Sequence, residues 1–223
     1  MHKRITIFAG HYGSGKTNVA VNYAIALSDK EKRVSISDLD IVNPYFRSKD
    51  SKNVLEEKNI RLISSEFANS NVDTPALPSE AYSITADKDC YAIVDVGGDD
   101  RGALALGRFV PEIALENNYE MLFVINKYRP LTSDVPSTIE VMREIENACK
   151  LKFTGIVNNS NIGEETTAKD VINSFQYADE VSKEAQIPIK MTTVSDKIYD
   201  SLKDKGKNIT PIKLYVKQSF QRG

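Results

Sequence analysis

Histidine and cysteine are scarce in this sequence, with two of each among 223 residues, and tryptophan is absent. The two histidines, His2 and His11, are too few for a histidine-rich zinc site and do not favour a Ser-His-Asp hydrolase. The two cysteines, Cys90 and Cys149, form no metal-binding or redox spacing, so we expect two reduced, partly buried thiols and no disulfide. Zinc hydrolysis, triad hydrolysis and thiol redox chemistry are therefore poor candidate functions.

The sequence also has little net charge and no long apolar run. It carries 29 lysines and arginines against 31 aspartates and glutamates, so no overall positive field would attract nucleic acid or an anionic membrane. No apolar run approaches membrane-spanning length, and Met1-His2-Lys3-Arg4 leads directly into a predicted strand instead of a signal-peptide core. We expect a cytoplasmic protein, with one domain over residues 1–223, that binds neither nucleic acid nor membrane.

A phosphate-binding motif lies close to the amino terminus. Residues Gly10 to Thr17 read Gly-His-Tyr-Gly-Ser-Gly-Lys-Thr and match G-x-x-x-x-G-K-[ST] at every fixed position. Glycines there let phosphate oxygens reach successive backbone N–H groups that side chains would block. A β-rich segment precedes the motif and a helical pattern follows it, which is the context that the motif requires. The predicted nucleotide-binding residues are Gly10, His11, Tyr12, Gly13, Ser14, Gly15, Lys16, Thr17 and Asn18.

Two side chains of this motif carry predicted chemistry. Lys16 places a positive charge between the outer phosphates, which makes it a predicted catalytic residue. The Thr17 hydroxyl is a predicted ligand of Mg²⁺.

Predicted strands and helices alternate along the rest of the chain. The strands are residues 33–37, 60–64, 90–95, 120–126, 154–158 and 187–194, and the helices are residues 51–58, 101–117, 132–150 and 164–185. Continuous apolar strands are typical of a parallel sheet that is covered on both faces. The predicted fold class is α/β, a three-layer, doubly wound, mostly parallel sheet. Residues 65–88 are predicted to be a long loop with one helical turn, and residues 210–222 either a helix or an extra strand packed on the domain.

Polar side chains end several of the predicted strands, where a parallel α/β sheet binds its ligands. They are Asp38, Asp40, Asp95, Asn126, Asn158 and Asn159. Asp95 follows four β-forming residues, the pattern of a carboxylate that holds the hydration shell of Mg²⁺. The Gly97-Gly98 pair after it would let a backbone N–H turn toward a γ-phosphate, so Gly98 is a predicted nucleotide-binding residue.

Three motifs together make the chain resemble a known family. They are the phosphate-binding loop, the acids of Asp38-Leu39-Asp40, and the strand end Asp95-Val96-Gly97-Gly98. The combination looks like the MinD/ParA-type P-loop ATPases (CobQ/CobB/MinD/ParA, nitrogenase iron protein-like), a branch that also holds the dethiobiotin and cobyrinate amidation enzymes. The likeness extends from Ile5 to about Val194. It implies a P-loop NTPase fold of this branch, with ATP and Mg²⁺ as cofactors.

The resemblance also implies roles for individual residues. Asp40 matches the acid of the first switch that positions the hydrolytic water, which makes it the second predicted catalytic residue, and Asp38 would support the Mg²⁺ shell. Asn159, or its neighbour Asn158, matches the asparagine that reads adenine in many relatives. The chemistry fits, because an amide both donates to and accepts from that base.

The sequence departs from related patterns at two places. Relatives with the deviant loop carry a lysine directly after the first glycine that reaches the nucleotide of a dimer partner, whereas this chain has His11 there, so a homodimer stays an open alternative. His11 is interpreted as a loop-packing residue in preference to a catalytic one. Asn126-Lys127-Tyr128-Arg129 begins like the guanine motif Asn-Lys-x-Asp but has Arg129 in place of the acid, which favours ATP over GTP. Arg129 and Arg47 could contact phosphate or a partner, and we interpret them in preference as solvated surface residues.

The predicted function is that of a Mg²⁺-dependent, ATP-binding protein with slow ATPase activity, a switch read by an unidentified protein partner. Two alternatives stay open at this point. One is an ATP-dependent enzyme that activates a small-molecule carboxylate, similar to dethiobiotin synthetase, and the other is a nucleotide-binding module that does not hydrolyse its ligand.

Overall fold

The structure is a computed structural model that describes residues 2–31, 33–39, 49–64, 79–206 and 208–215. Asp40 and Arg47 lie outside the described residues, as does most of the predicted loop over residues 65–88.

The described residues form eight strands and eight α-helices. The strands are β1 (Ile5–Ala9), β2 (Val34–Asp38), β3 (Arg61–Ile63), β4 (Tyr91–Asp95), β5 (Tyr119–Ile125), β6 (Gly155–Asn158), β7 (Ile189–Ser195) and β8 (Ile209–Ile212). The helices are α1 (Lys16–Ser28), α2 (Lys49–Glu57), α3 (Ser83–Ala86), α4 (Asp100–Gly107), α5 (Val110–Glu116), α6 (Val135–Cys149), α7 (Ala168–Asn173) and α8 (Phe175–Ala185).

All eight strands belong to one parallel sheet in the order β3-β2-β4-β1-β5-β6-β7-β8. Side chains of β1 alternate between two cores, because successive residues of a strand point to opposite faces. Ile5 and Ile7 face the core that α4, α5, α6 and α8 cover, and Phe8 faces the core that α1 and α2 cover. The predicted three-layer α/β class is confirmed, and the central position of β1 brings the motif after it to the middle of the sheet.

Two predicted helices are each divided in the structure. Residues 101–117 form α4 and α5, which Arg108 and Phe109 separate, with Pro111 in the first turn of α5. Residues 164–185 include α7 and α8, which meet at Ser174. The Ser174 hydroxyl donates to the Val171 carbonyl oxygen (2.7 Å) and accepts from the Asn158 amide (2.9 Å). The prediction of two long continuous helices was therefore wrong, because a proline and a serine hydroxyl interrupt the helical backbone although the apolar periodicity continues.

The described part of the segment over residues 210–222 starts as a strand and not as a helix. β8 pairs with β7 in parallel register, with Thr192 opposite Ile209 and Val194 opposite Pro211. It is the last strand of the sheet among the described residues.

Both cysteines are free thiols, as predicted. Cys149 is buried and Cys90 is half-buried, and burial raises the pKa of the Cys149 thiol. None of the helices that the structure describes is both long enough and apolar enough to cross a lipid bilayer.

A buried arginine joins the start of β1 to the segments that lead into its neighbours β4 and β5. Arg4 is 6% exposed, forms a bidentate pair with Glu116 at the end of α5, and donates to the carbonyl oxygens of Ile84, Asp87 and Cys90 at 3.1 Å each. The hydrogen bond from Arg4 lowers the pKa of the Glu116 carboxyl to about 2. A buried guanidinium needs this carboxylate, since removal of one partner leaves an uncompensated charge.

We expect Glu116→Gln to destabilise the protein at neutral pH. The fall in the pKa of Glu116 from 4.5 to about 2 corresponds to about 3 kcal/mol of free energy of unfolding, which the variant should lose. The carboxylate stabilises the fold above its unfolded pKa of 4.5 and loses this effect as the pH falls toward 2. The difference between wild type and variant, measured by urea unfolding, should therefore narrow over that range. Glu112→Gln on the exposed side of α5 is the control, and equal stability of the two variants at pH 7 would contradict the assignment.

Candidate functional site

The loop between β1 and α1 is shaped by close backbone contacts. A Cβ atom on Gly10 would lie 2.4 Å from the carbonyl oxygen of Val124 in β5, so only glycine fits there. Gly13 and Gly15 have φ values of 77° and 87°. α1 begins at Lys16 directly after this turn. Successive N–H groups at a helix start form the kind of backbone cradle that binds phosphate.

The side chains of the loop fold back onto it. The Lys16 ammonium donates to the His11 carbonyl oxygen at 3.2 Å. The His11 Nδ1 lies 2.9 Å from the Tyr12 carbonyl oxygen, so that nitrogen carries the hydrogen of the bond. The imidazole is thus engaged within its own loop, a geometry that suits the packing role predicted for His11.

Three oxygen-bearing side chains meet beside the loop. The Thr17 hydroxyl donates to Asp95 Oδ2 at 2.6 Å. Asp38 is directly paired with Asp95 in the register of β2 and β4, and the two residues are 4% and 2% exposed. Neighbouring buried carboxylates repel when both are ionised, so the arrangement suits a divalent cation. Hydroxyl and carboxylate oxygens are ligands that Mg²⁺ prefers, with phosphate and water at its remaining positions, so these residues fit that ion.

The turn after β4 touches the phosphate-binding loop. A Cβ atom on Gly98 would lie 2.7 Å from the backbone N and Cα of Tyr12 and 3.0 Å from Lys16 Nζ. Asp99 caps the start of α4, and its carboxylate accepts from the Gly102 N–H at 3.0 Å. The structure therefore brings Gly98 next to Lys16, where the sequence analysis expects the outer phosphate.

The two asparagines after β6 are engaged inside the protein. Asn159 donates to the Ser14 carbonyl oxygen at 2.7 Å and accepts from the Thr193 hydroxyl at 2.6 Å. Asn158 is fully buried, donates to Ser174 at 2.9 Å and accepts from the backbone and hydroxyl of Ser160. Both ends of each amide are thus already bonded. Both asparagines therefore have a structural role in this arrangement, and Asn159 links the phosphate-binding loop to β7.

Arg129 is not the solvated surface residue that the sequence analysis preferred. Its Nε donates to the Gly13 carbonyl oxygen at 3.0 Å, the side chain is half-buried, and burial lowers the pKa of its guanidinium. The sequence alone carried no signal for this contact, because Arg129 lies beside the loop only through the pairing of β5 with β1, whose end begins the loop. Asn126 at the end of β5 bonds the backbone of Asn161, which joins the loops after β5 and β6.

A cavity of about 370 Å³ opens beside the first turn of α1. Its walls come from the start of α1, the loop after β6, the turn after β7 and the segment that follows β8. The lining residues are Gly15, Asn18, Asn159, Ser160, Asn161, Gly163, Glu164, Thr166, Val171, Thr193, Val194, Ser195, Asp196, Lys197, Ile198, Ile212, Lys213 and Leu214. This volume lies in the range of small-molecule sites. Most of these residues were missed, because their loops meet only in three dimensions.

Comparisons with known proteins identify a matching family model and similar folds. A sequence model of the CobQ/CobB/MinD/ParA nucleotide binding domain matches residues 5–188. No curated protein matches the chain. Similar solved structures include cell division protein FtsY from Thermotoga maritima (20% identity, TM-score 0.58, 88% of this chain and 63% of that chain). Others are chloroplast FtsY from Physcomitrella patens (17%, 0.56, 88% and 60%) and signal recognition particle 54 kDa protein from Aeropyrum pernix K1 in complex with GDP (14%, 0.52, 84% and 40%).

At these identities the likeness to the solved structures establishes the fold. The chain spans about 60% of the length of the FtsY chains that it matches.

We expect Asn159→Asp to weaken the loop support. The aspartate keeps the acceptor for Thr193 but places a carboxylate against the Ser14 carbonyl oxygen, where the amide donated. The free energy of unfolding should fall by about 2 kcal/mol, since a buried acceptor loses its donor. Urea unfolding measures the change, and Asn53→Asp on the exposed side of α2 is the matched control. A variant as stable as this control would show that the link is unimportant.

Proposed function

The chain belongs to the CobQ/CobB/MinD/ParA nucleotide-binding family, and we propose from this premise that it binds ATP with Mg²⁺, hydrolyses it slowly and acts as a switch for a protein partner. The observation that carries the proposal is the hydrogen bond from Thr17 to Asp95, beside Asp38 and at the end of the glycine-lined loop. A plain glycine turn has no need of two buried carboxylates and a hydroxyl at its edge.

The roles follow from the positions of the side chains. The loop N–H groups and Lys16 hold the phosphates, and Gly98 lets the turn after β4 approach the outermost one. Thr17, Asp95 and Asp38 would hold Mg²⁺, whose chemistry when bound is to neutralise charge on the phosphate oxygens. Asp40, which lies outside the described residues, is proposed to orient the attacking water.

The cavity beside α1 is the proposed site of the nucleoside. Arg129 stands where a guanine-binding acid is expected, and it is bonded to Gly13, which supports adenine as the base. Asn159 acts in this proposal through the loop that it holds, and Asn158 through the turn at Ser160. One similar solved structure is a complex with GDP, so GTP is the necessary comparison ligand.

A partner that reads the nucleotide state would need a surface at the mouth of the site. Tyr12 in the loop, Leu131 after Arg129 and Leu104 on α4 are exposed apolar side chains. Tyr12 lies against the turn at Gly98, so a surface that includes it would change when that turn moves. A second copy of the chain is one candidate for this partner, and gel filtration with ADP and with a non-hydrolysable ATP analogue tests it.

Nucleotide release assays separate the proposal from its alternatives. ADP and GDP release would be measured with ATP and GTP, each with and without a panel of small carboxylic acids. Slow ADP release that the acids leave unchanged supports the switch. Stimulation by one acid would identify a carboxylate-activating enzyme, and ATP that stays intact with Mg²⁺ would identify a non-hydrolysing module.

We expect Asp95→Asn to separate binding from turnover. ATP affinity without Mg²⁺ should stay within about threefold of wild type, while Mg²⁺-dependent hydrolysis falls by about 10- to 100-fold, because the support of the metal shell is lost. Isothermal titration and phosphate release measure the two effects. Lys16→Ala is the reference for lost binding, and Asp179→Asn on the exposed side of α8 is the matched control. Hydrolysis at the wild-type rate in Asp95→Asn would refute the metal assignment.

We expect Asp40→Ala to bind ATP normally and to hydrolyse it at least about 100-fold more slowly, the effect of losing a group that positions or activates water. Single-turnover ATP hydrolysis measures the rate, and Asp89→Ala in the turn before β4 serves as the control. Unchanged turnover in Asp40→Ala would move the catalytic role to another residue.

A further inference from the structure

The segment that follows β8 is held on α1 by two side-chain amides. Asn22 accepts from the Lys213 N–H at 2.9 Å and donates to the Lys213 carbonyl oxygen at 2.8 Å. One turn earlier on the helix, Asn18 accepts from the Tyr215 N–H at 3.0 Å. Residues four apart lie on one face of a helix, so both amides can bond the backbone of the same segment.

The same segment is a wall of the cavity beside the phosphate-binding loop. Ile212, Lys213 and Leu214 line one side of it, and Gly15 and Asn18 line another. Leu214 is 53% exposed, so it presents an apolar surface that the described part of the chain leaves largely uncovered. Asn18 directly follows Thr17, so the amide contacts begin one residue from the proposed metal ligand.

We propose that Asn18 and Asn22 form a latch that holds residues 212–215 as the closing wall of the nucleoside cavity, so that nucleotide binding and docking of this segment strengthen each other. The inference rests on the proposed function, because it takes the nucleoside as the occupant of the cavity. Asn22 is a positioning residue, which acts through the backbone of Lys213, and Leu214 is the side chain that contacts the nucleoside.

The coupling follows from linkage between two events at one surface. A ligand that contacts the docked segment stabilises the docked state. A segment that is already docked lowers the conformational entropy that is lost when the ligand binds. Occupancy of the cavity by a nucleotide is thereby communicated to residues 212–215. A latch that is only structural would hold the segment equally well with and without nucleotide.

Hydrogen exchange on the full-length protein tests the coupling directly. ATP with Mg²⁺ should slow exchange at the Lys213 and Tyr215 amides of wild type by about five- to tenfold, a typical size for coupling between sites. In Asn22→Ala these amides should exchange fast in both states. Asn53→Ala, on the exposed side of α2, should behave as wild type.

Affinity measurements test the wall. Asn22→Ala and Leu214→Ser should each lower the affinity for ATP and for ADP by a similar factor of about three to ten. KM should rise while kcat stays within about twofold of wild type, because the lost contacts are to the nucleoside and not to the transferred phosphate. Leu115→Ser, which replaces another exposed leucine on α5, is the matched control. Leu214→Ser keeps the test valid if Asn22→Ala fails to fold, since an exposed side chain contributes little to the core.

The outcomes distinguish this inference from the proposed function. Wild type that binds ATP, together with unchanged affinity in both variants and no effect of nucleotide on exchange at Lys213 and Tyr215, would overturn the latch alone. Wild type that binds no nucleotide would overturn both. A loss confined to ATP, with ADP affinity unchanged, would place the segment near the phosphates and would also overturn the assigned role of Leu214.

Discussion

One hydrogen bond, from the Thr17 hydroxyl to the Asp95 carboxylate, joins the first turn of α1 to the end of β4. It connects the element that cradles phosphate to the strand that supplies the acid, and both partners are buried. The bond is charge-assisted, so it is stronger than a neutral one, and burial reduces competition from water. The register of β2 and β4 sets a second carboxylate, that of Asp38, beside Asp95.

The phosphate-binding loop is supported from several directions, and each support comes from a different strand end. Arg129 after β5 bonds the carbonyl oxygen of Gly13, Asn159 after β6 bonds that of Ser14, and Gly98 after β4 lies against Tyr12. The bonds from Arg129 and Asn159 engage two carbonyl oxygens of the loop and so fix its backbone without using its N–H groups. Preorganisation of this kind lowers the ordering that a bound nucleotide would otherwise require.

The sequence was most informative where function restricts the choice of residues. Gly10 to Thr17 and Asp95 could be proposed as parts of one site from spacing alone, because close backbone approach and metal binding tolerate few alternatives, and the structure brings Thr17 and Asp95 into contact. The divisions at Ser174 and Arg108 could not, since both depend on contacts that apolar periodicity does not report. Arg129 shows the same limit, because an arginine after a strand looks solvated until the pairing of β5 with β1 places it beside the loop.

The position of Pro211 in β8 limits how the sheet can grow. Because the Thr192 N–H bonds the Asn208 carbonyl oxygen, the even-numbered residues of β8 turn their backbone groups toward β7, and Pro211 turns outward. The outer rim therefore has no donor at that point, so an incoming chain cannot complete a regular ladder along it. Strand addition along the described part of this edge is therefore disfavoured.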